Sequence, residues 1–189
     1  DEERVLVADY GDEMQPNLEA ILLSAPDAIV ISTYGEGDAV AAQIGALGIP
    51  VLYCNEWTEH SPLARAEWIR FFGACFGYEE RADSVFGCVK KAYAEMVAKE
   101  PSEVSIMSGQ AFMGTWYVPT GGTFMGRLFA DAGARYHYAD DTSTSSLPLT
   151  MEQALQAFAD ADVWVGCSAR SLEELAGTDK KHTWFKAYQ

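Results

Sequence analysis

Residues 79–100 read EERADSVFGCVKKAYAEMVAKE, and within them Ala82, Val85, Phe86, Val89, Tyr93, Met96 and Val97 fall along one stripe at helical spacing. About twenty helical residues reach on the order of 30 Å. A helix of this length, flanked on both sides by alternating helix and strand patterns, predicts a brace between two α/β lobes.

Working upstream, HSPLARAEWIRFFGACFG (60–77) offers Ser61 as a cap and Pro62 at the first helical position, with Leu63, Ala66, Ile69, Phe72 and Phe76 at near-helical spacing. Before it, PNLEAILLSAPDAIVIST (16–33) reads as a helix from Pro16 feeding an apolar strand over 28–33. VAAQIGALGIPVLYCNEW (40–57) repeats the idea, with Gly48 as the stop and a strand over 50–54. Two helix-to-strand units in succession predict parallel α/β structure.

Downstream, EVSIMSG (103–109) reads as a strand and FMGTWYVP (112–119) as a loop. A helix is expected from about Thr123 and a short strand over 136–138. STSSLPLTMEQALQAFADADVWVGC (143–167) then predicts a polar loop, a helix from about Thr150 and a strand over 163–167. The tail from Ala169 reads as two short helical pieces.

The segments 16–32 and 149–166 resemble one another, aligning Glu19 with Glu152, Leu22 with Leu155 and Asp27 with Asp162. Each places a Glu in the first turn of a helix that feeds a core strand. A carboxylate there complements the helix dipole by roughly 0.3–1 kcal/mol, which accounts for both without any further role.

Composition narrows the function classes. Apolar residues make up 49% of a chain of 189, enough for a substantial core. The 13 Lys and Arg against 28 Asp and Glu give a net charge of −15, which repels nucleic acid and anionic membrane surfaces. Small molecules or basic protein surfaces are the expected partners. No run approaches the roughly 20 apolar residues of a membrane span, and DEERVLVADYG (1–11) lacks the character of a secretory leader. Cys54, Cys75, Cys88 and Cys167 form no CxxC pair and read as small buried hydrophobes.

Chemistry-bearing motifs are few. VPTGGTFMGRLFADAGARYHYADD (118–141) carries a Gly pair ahead of a helix, yet it has neither the Walker spacing nor the GxGxxG order. Gly121 and Gly122 are therefore expected to serve a tight turn rather than a phosphate. No GxSxG elbow occurs, and His60, His137 and His182 have no patterned nucleophile, so no catalytic residue is assigned. His60, beside Glu56 and Glu59, reads as a solvated residue ahead of the Ser61 cap rather than a metal ligand, and no metal site or cofactor is expected. Tyr34, Trp57, Trp116 and Tyr117 all follow expected strand ends, where α/β proteins place ligands. For Trp116 and Tyr117 two readings stand equal: stacking on a ligand, or covering a sheet edge.

Taken in order, PNLEAILLSAPDAIVIS, LGIPVLYCNEWTEHSPLARAEWIRFFGACFGYEERADSVF and VPTGGTFMGRLFADAGARYHYADDTSTSSLPLTMEQAL resemble the periplasmic substrate-binding proteins of ABC importers for ferric siderophores, haem and cobalamin. The resemblance covers nearly the whole chain. It implies two α/β lobes joined by a long rigid helix with ligand held in the cleft, and hence a partial N-terminal lobe over 1–78, a connector over 79–100 and a C-terminal lobe over 101–189. It further implies that Glu19 and Glu152 dock onto arginines of the membrane permease, one per lobe. The protein would be periplasmic or anchored to the cell envelope, with its targeting signal upstream of Asp1.

Family members carry a further strand and helix set before the NLE segment and more structure at the C-terminal end, so the chain is expected to be a fragment. In this reading Tyr34, Trp57, Trp116 and Tyr117 supply stacking area, and Arg127 either meets a ligand carboxylate or stays on the surface. The scarcity of basic residues favours haem or a corrinoid over a strongly anionic siderophore. Two alternatives remain: an α/β enzyme or chelatase-like domain using the same cleft, and an interaction module without a working ligand site.

Overall fold

The computed structural model describes residues 16–33, 39–97 and 100–188. Contacts divide the chain into two compact units, residues 1–56 and 57–189.

In the first unit, α1 (Leu18–Ser24) is capped by Asn17, whose side-chain oxygen accepts from the Ala20 amide at 3.1 Å. The cap is thus Asn17, and Pro16 lies just outside the helix rather than starting it, because Asn offers the acceptor that the first-turn amides need. Strand β1 (Ile29–Ile31), helix α2 (Ala39–Ala46) and strand β2 (Val51–Tyr53) complete a parallel pair in which Ile29 faces Val51 and Ile31 faces Tyr53. Beyond it, the Thr33 amide donates to Asn55 Oδ1 at 2.9 Å and ties the two strand ends together.

A 3-10 turn over Glu56–Thr58 spans the boundary, and the second unit continues with α3 (Pro62–Glu67), with Ser61 as cap and Pro62 in the first turn. Helix α4 (Ile69–Phe76) follows separately, since the chain breaks at Trp68, whose indole N–H donates to Glu59 at 3.1 Å. Helix α5 (Glu79–Met96) has 18 residues, a span of about 27 Å. Its inward positions are Ala82 and Phe86. Val85, Val89 and Met96, expected on the same stripe, are exposed. Gly73 lets α4 and α5 approach closely, for a Cβ there would stand 2.5 Å from that of Ala82.

Two sheets follow. Strand β3 (Ser105–Ser108) forms the centre of a parallel sheet, flanked by β6 (Arg135–Tyr136) and β8 (Val163–Val165). The second sheet is antiparallel and was not anticipated: β4 (Gln110–Phe112) and β5 (Thr115–Pro119) form a hairpin, and β7 (Ser146–Leu149) pairs with β5. The expected loop over 112–119 is thus mostly strand, as is the end of the expected polar loop before Thr150.

Helix α6 (Phe124–Asp131) starts on Thr123, and α7 (Met151–Phe158) on a capping box of Thr150 with Gln153. The tail supplies α8 (Leu172–Thr178) and two 3-10 turns, and it returns His182 and Phe185 to the core. That core joins Met107, Trp116, Val118, Phe129, Tyr136 and Phe158. The cysteines depart from expectation: Cys75 and Cys88 are exposed on α4 and α5, and Cys54 and Cys167 are half-buried. Among the described residues nothing buries Cys75 or Cys88, so their position inside apolar runs did not translate into burial.

Asp162 clamps the start of β8. One carboxylate oxygen accepts from the Ser105 amide and hydroxyl at 2.9 and 2.8 Å, and the other meets Lys186 Nζ at 2.6 Å. The Lys186 ammonium and then the Ser105 donors hold this carboxyl far below the ordinary carboxylate range. A depressed folded-state value means that the clamp stabilises fully above the unfolded value of about 3.9 and is lost as pH falls toward the folded one. Asp162→Asn is therefore expected to lower the urea midpoint at pH 7, with the gap to the parent protein narrowing on acidification below about pH 4. A gap that stayed constant from pH 7 to pH 2.5 would show that the carboxylate charge is not what stabilises this corner.

Candidate functional site

A cavity of about 500 Å³ opens in the second unit, lined by Trp57, Thr58, Glu59, His60 and Arg65 on one side and by Pro119, Thr123, Phe124, Met125, Thr144 and Ser146 on the other. Its volume falls in the range of roughly 300–1,000 Å³ typical of small-molecule sites.

Local chemistry sets each wall. Because Ser61 and Pro62 start α3, Arg65 falls in its last turn. The guanidinium donates to the Trp57 carbonyl at 2.9 Å and lies 4.0 Å from the centre of the Phe124 ring. A cation over an aromatic face fixes both groups, so two segments about sixty residues apart in sequence hold one shape. Trp57, on the 3-10 turn, keeps 41% of its surface exposed.

The opposite wall depends on the Gly pair. The Gly121 amide donates to the Tyr138 carbonyl at 2.9 Å and the Gly122 amide to the Asp141 carbonyl at 3.0 Å. Thr123 caps α6 by accepting from the Gly126 amide at 3.1 Å. These amides are consumed by the protein and do not form an anion cradle, in keeping with the tight-turn expectation. Neither glycine takes a positive φ. The need for Gly is one of space: a Cβ on Gly121 would sit 1.9 Å from the Ala139 carbonyl oxygen, and one on Gly122 2.3 Å from that of Thr142. The buried Thr120 hydroxyl donates to the Ser143 carbonyl at 2.5 Å, and Tyr136 donates to the Pro119 carbonyl at 2.6 Å, tying the end of β5 to its neighbouring segments. Burial pushes the Tyr136 hydroxyl well above the ordinary phenol value, so it remains a donor.

The residues expected from sequence fall in different places. Trp57 lines the cavity. Trp116 does not: it is 1% exposed, its indole N–H donates to the Ser108 carbonyl at 3.0 Å, and its ring packs on Trp164 and Phe185. Stacking on a ligand is corrected to a core role, because the pleat of β5 turns this side chain inward. Tyr117, the next residue, points outward and is exposed, beyond the cavity lining. Arg127 is exposed on α6, also outside the lining, where its charge opposes the rise of the Tyr93 hydroxyl to about 12 that burial and the hydrogen bond to Asp131 produce. Tyr34 lies outside the described residues.

His60 is exposed ahead of Ser61 as expected, yet it also lines the cavity. Arg65, Phe124, Met125, Thr144 and Ser146 were not singled out. The only sequence signal for Arg65 was its place four residues after a cap. Glu19 and Glu152 are both exposed in the first turns of α1 and α7. The helix-start amide and then the Thr150 hydroxyl draw the Glu152 carboxyl below its usual range, so it carries its charge at neutral pH.

Comparison with known proteins agrees on the fold. The family described as periplasmic binding protein matches residues 1–187. The uncharacterized lipoprotein MJ0878 of Methanocaldococcus jannaschii is 26% identical over 162 residues, taking in 84% of this chain and 39% of that protein. This chain spans 39–50% of the length of the curated relatives it matches. Among solved structures, the periplasmic heme binding protein HutB of Vibrio cholerae superposes with a TM-score of 0.72 at 18% identity, over 95% of this chain and 71% of that one. A possible iron-binding (periplasmic solute-binding) protein from Staphylococcus epidermidis gives 0.70 at 16% identity, over 94% and 69%.

Proposed function

We propose, from the premise that the chain belongs to the periplasmic binding protein family, that it captures a bulky metal complex and presents it to the permease of an ABC importer. The observation that carries this is the Trp57–Arg65–Phe124 cavity, in which an exposed indole stands at the edge of a preformed hollow. Its lining joins apolar area from Phe124, Met125 and Pro119 to one guanidinium and several hydroxyls, the mixture by which pockets gain affinity from area and orientation from a few polar groups. A single guanidinium in a chain of net charge −15 suits haem or a corrinoid better than a strongly anionic ferric chelate. On this reading the metal is cargo, no covalent chemistry occurs, and the protein works in the periplasm or anchored to the cell envelope.

Titration of tryptophan fluorescence with hemin, cyanocobalamin and a set of ferric siderophores tests capture. Saturable quenching by one class is expected, with the affinity reduced about tenfold or more in Trp57→Ala, as for a buried aromatic anchor. Silence from every member of the panel would overturn the reading. Delivery is assigned to Glu19 and Glu152 as contacts for permease arginines. Reversing both charges, Glu19→Arg with Glu152→Arg, should leave ligand affinity intact and weaken permease association; unchanged association would remove the docking assignment while leaving capture in place.

A further inference from the structure

We infer that α5 pairs antiparallel with α5 of a second copy of this chain about a two-fold axis at Cys88. Arg81 of each copy then meets Glu95 of the other, and Met96 of each seats in the apolar groove between α4 and α5 of the other. The inference stands apart from capture, because no residue it uses lines the cavity.

The seam is written in the helix. Arg81, Val85, Cys88, Ala92 and Glu95 follow one another at intervals of four, three, four and three residues, the repeat by which one helix faces another along its length. All five are exposed, while Ala82 and Phe86 meet the core from the neighbouring side of the helix. The stripe runs for roughly 21 Å. Its middle, Val85, Cys88 and Ala92, is apolar and small, which permits the close interaxial approach that small contact residues allow.

The charges choose the partner and its direction. Arg81 and Glu95 each stand seven residues from Cys88, so an axis there carries one position onto the other and gives two opposite-charge pairs. Parallel pairing in register would instead set Arg81 against Arg81 and Glu95 against Glu95, a repulsion at both ends. Among the described residues neither Arg81 nor Glu95 has an ion-pair partner, whereas Arg70, Arg135 and Lys186 each have one.

The groove supplies the second match. Ile69, Phe72, Phe76, Ala82 and Val85 line an apolar hollow of about 360 Å³ beside the first half of the seam. Met96 is 79% exposed and Phe76 69%. The axis carries position 96 to the level of residue 80 on the other copy, beside that hollow. Around the helix Met96 falls between Val85 and Ala82, the side on which α4 packs, and the two-fold axis keeps both copies leaning that way. A flexible thioether suits an irregular apolar gap. Each copy thus carries both the hollow and the side chain that fits it, the self-complementarity that a two-fold interface requires.

Sedimentation velocity from about 1 to 200 µM tests the pairing. Expected is a concentration-dependent dimer, weakened at least about tenfold by Arg81→Glu or by Glu95→Arg and recovered in Arg81→Glu/Glu95→Arg, where the charges are exchanged but the pairs restored. Met96→Asp should weaken it as well. All three positions are exposed, so circular dichroism should match the parent protein. A short bismaleimide should join two copies through Cys88, so that Cys88→Ser removes the cross-linked dimer and Cys75→Ser does not. A parent protein that stays monomeric throughout the range would overturn the inference. So would a dimer that either folded single reversal leaves intact, or that the exchange fails to recover. Should a reversal variant unfold, the cross-link decides: its dependence on Cys88 supports the seam, and its persistence in Cys88→Ser overturns it.

Discussion

Trp116→Ala is expected to destabilise the second unit by about 3–5 kcal/mol. The indole sits where the two sheets of that unit share a core, 5.4 Å from the ring of Trp164, 5.6 Å from His182 and 5.1 Å from Phe185. Its N–H is the donor to the Ser108 carbonyl, so truncation removes packing area and leaves a buried acceptor without that partner. Neighbours cannot collapse easily into the space, since the backbone of Gly109 already lies against Tyr117, where a Cβ would stand 2.0 Å from its carbonyl oxygen. Domains of this kind have about 5–15 kcal/mol in total, and the loss is a large part of it.

Denaturant unfolding followed by far-ultraviolet circular dichroism measures the change. A loss under about 1 kcal/mol would contradict the core assignment. Weakened ligand binding at unchanged stability would restore the stacking role that the sequence first offered for this residue.

What could be read in advance depended on how local each signal was. Helix α5 was legible because amphipathic spacing and two first-turn glutamates are written within a single segment, and α7 because Thr150 and its Gln153 partner lie three residues apart. The hairpin was missed since its turn places Met113 where Asn or Asp is the recognisable sign, leaving an aromatic run that reads as a loop. Strand β7 was hidden by Pro148, a residue tolerated there because β7 lies at the edge of its sheet. The Trp68 break between α3 and α4 left the helical spacing almost intact and so gave no warning.

The site divided along the same line. Trp57 was visible as an aromatic after a strand, whereas Arg65 acquires its role by reaching Phe124, a contact that no local pattern encodes. Trp116 and Tyr117 show the limit most sharply. Adjacent in sequence and equal candidates as aromatics, they are separated by the strand pleat into a core residue and a surface one.

Gly121→Ala is the second large expected effect, and it joins stability to the site. The added Cβ would stand 1.9 Å from the Ala139 carbonyl oxygen and 2.7 Å from its carbon, contacts made with backbone that no rotamer change relieves. Segment 139–143 must then move, and with it the acceptors of the Gly122 amide and of the Thr120 hydroxyl, while the Gly121 amide's acceptor, the Tyr138 carbonyl, adjoins it. Overpacking of this kind costs typically 1–3 kcal/mol, sometimes more. The geometric consequence is broader, because the same turn sets the start of α6 and therefore the positions of Phe124 and Met125 in the cavity wall.

Ligand affinity should accordingly fall further than stability alone would produce, measured as a weaker dissociation constant under conditions where the variant remains folded. Gly87→Ala is the control within the same unit: it lies in α5, where a Cβ would find nothing within 4 Å, and it should stabilise by roughly 0.4–1 kcal/mol with binding unchanged. If Gly121→Ala behaved like Gly87→Ala in both respects, the Gly pair would not be what shapes the cavity. The Arg65–Phe124 contact would then have to hold the wall by itself.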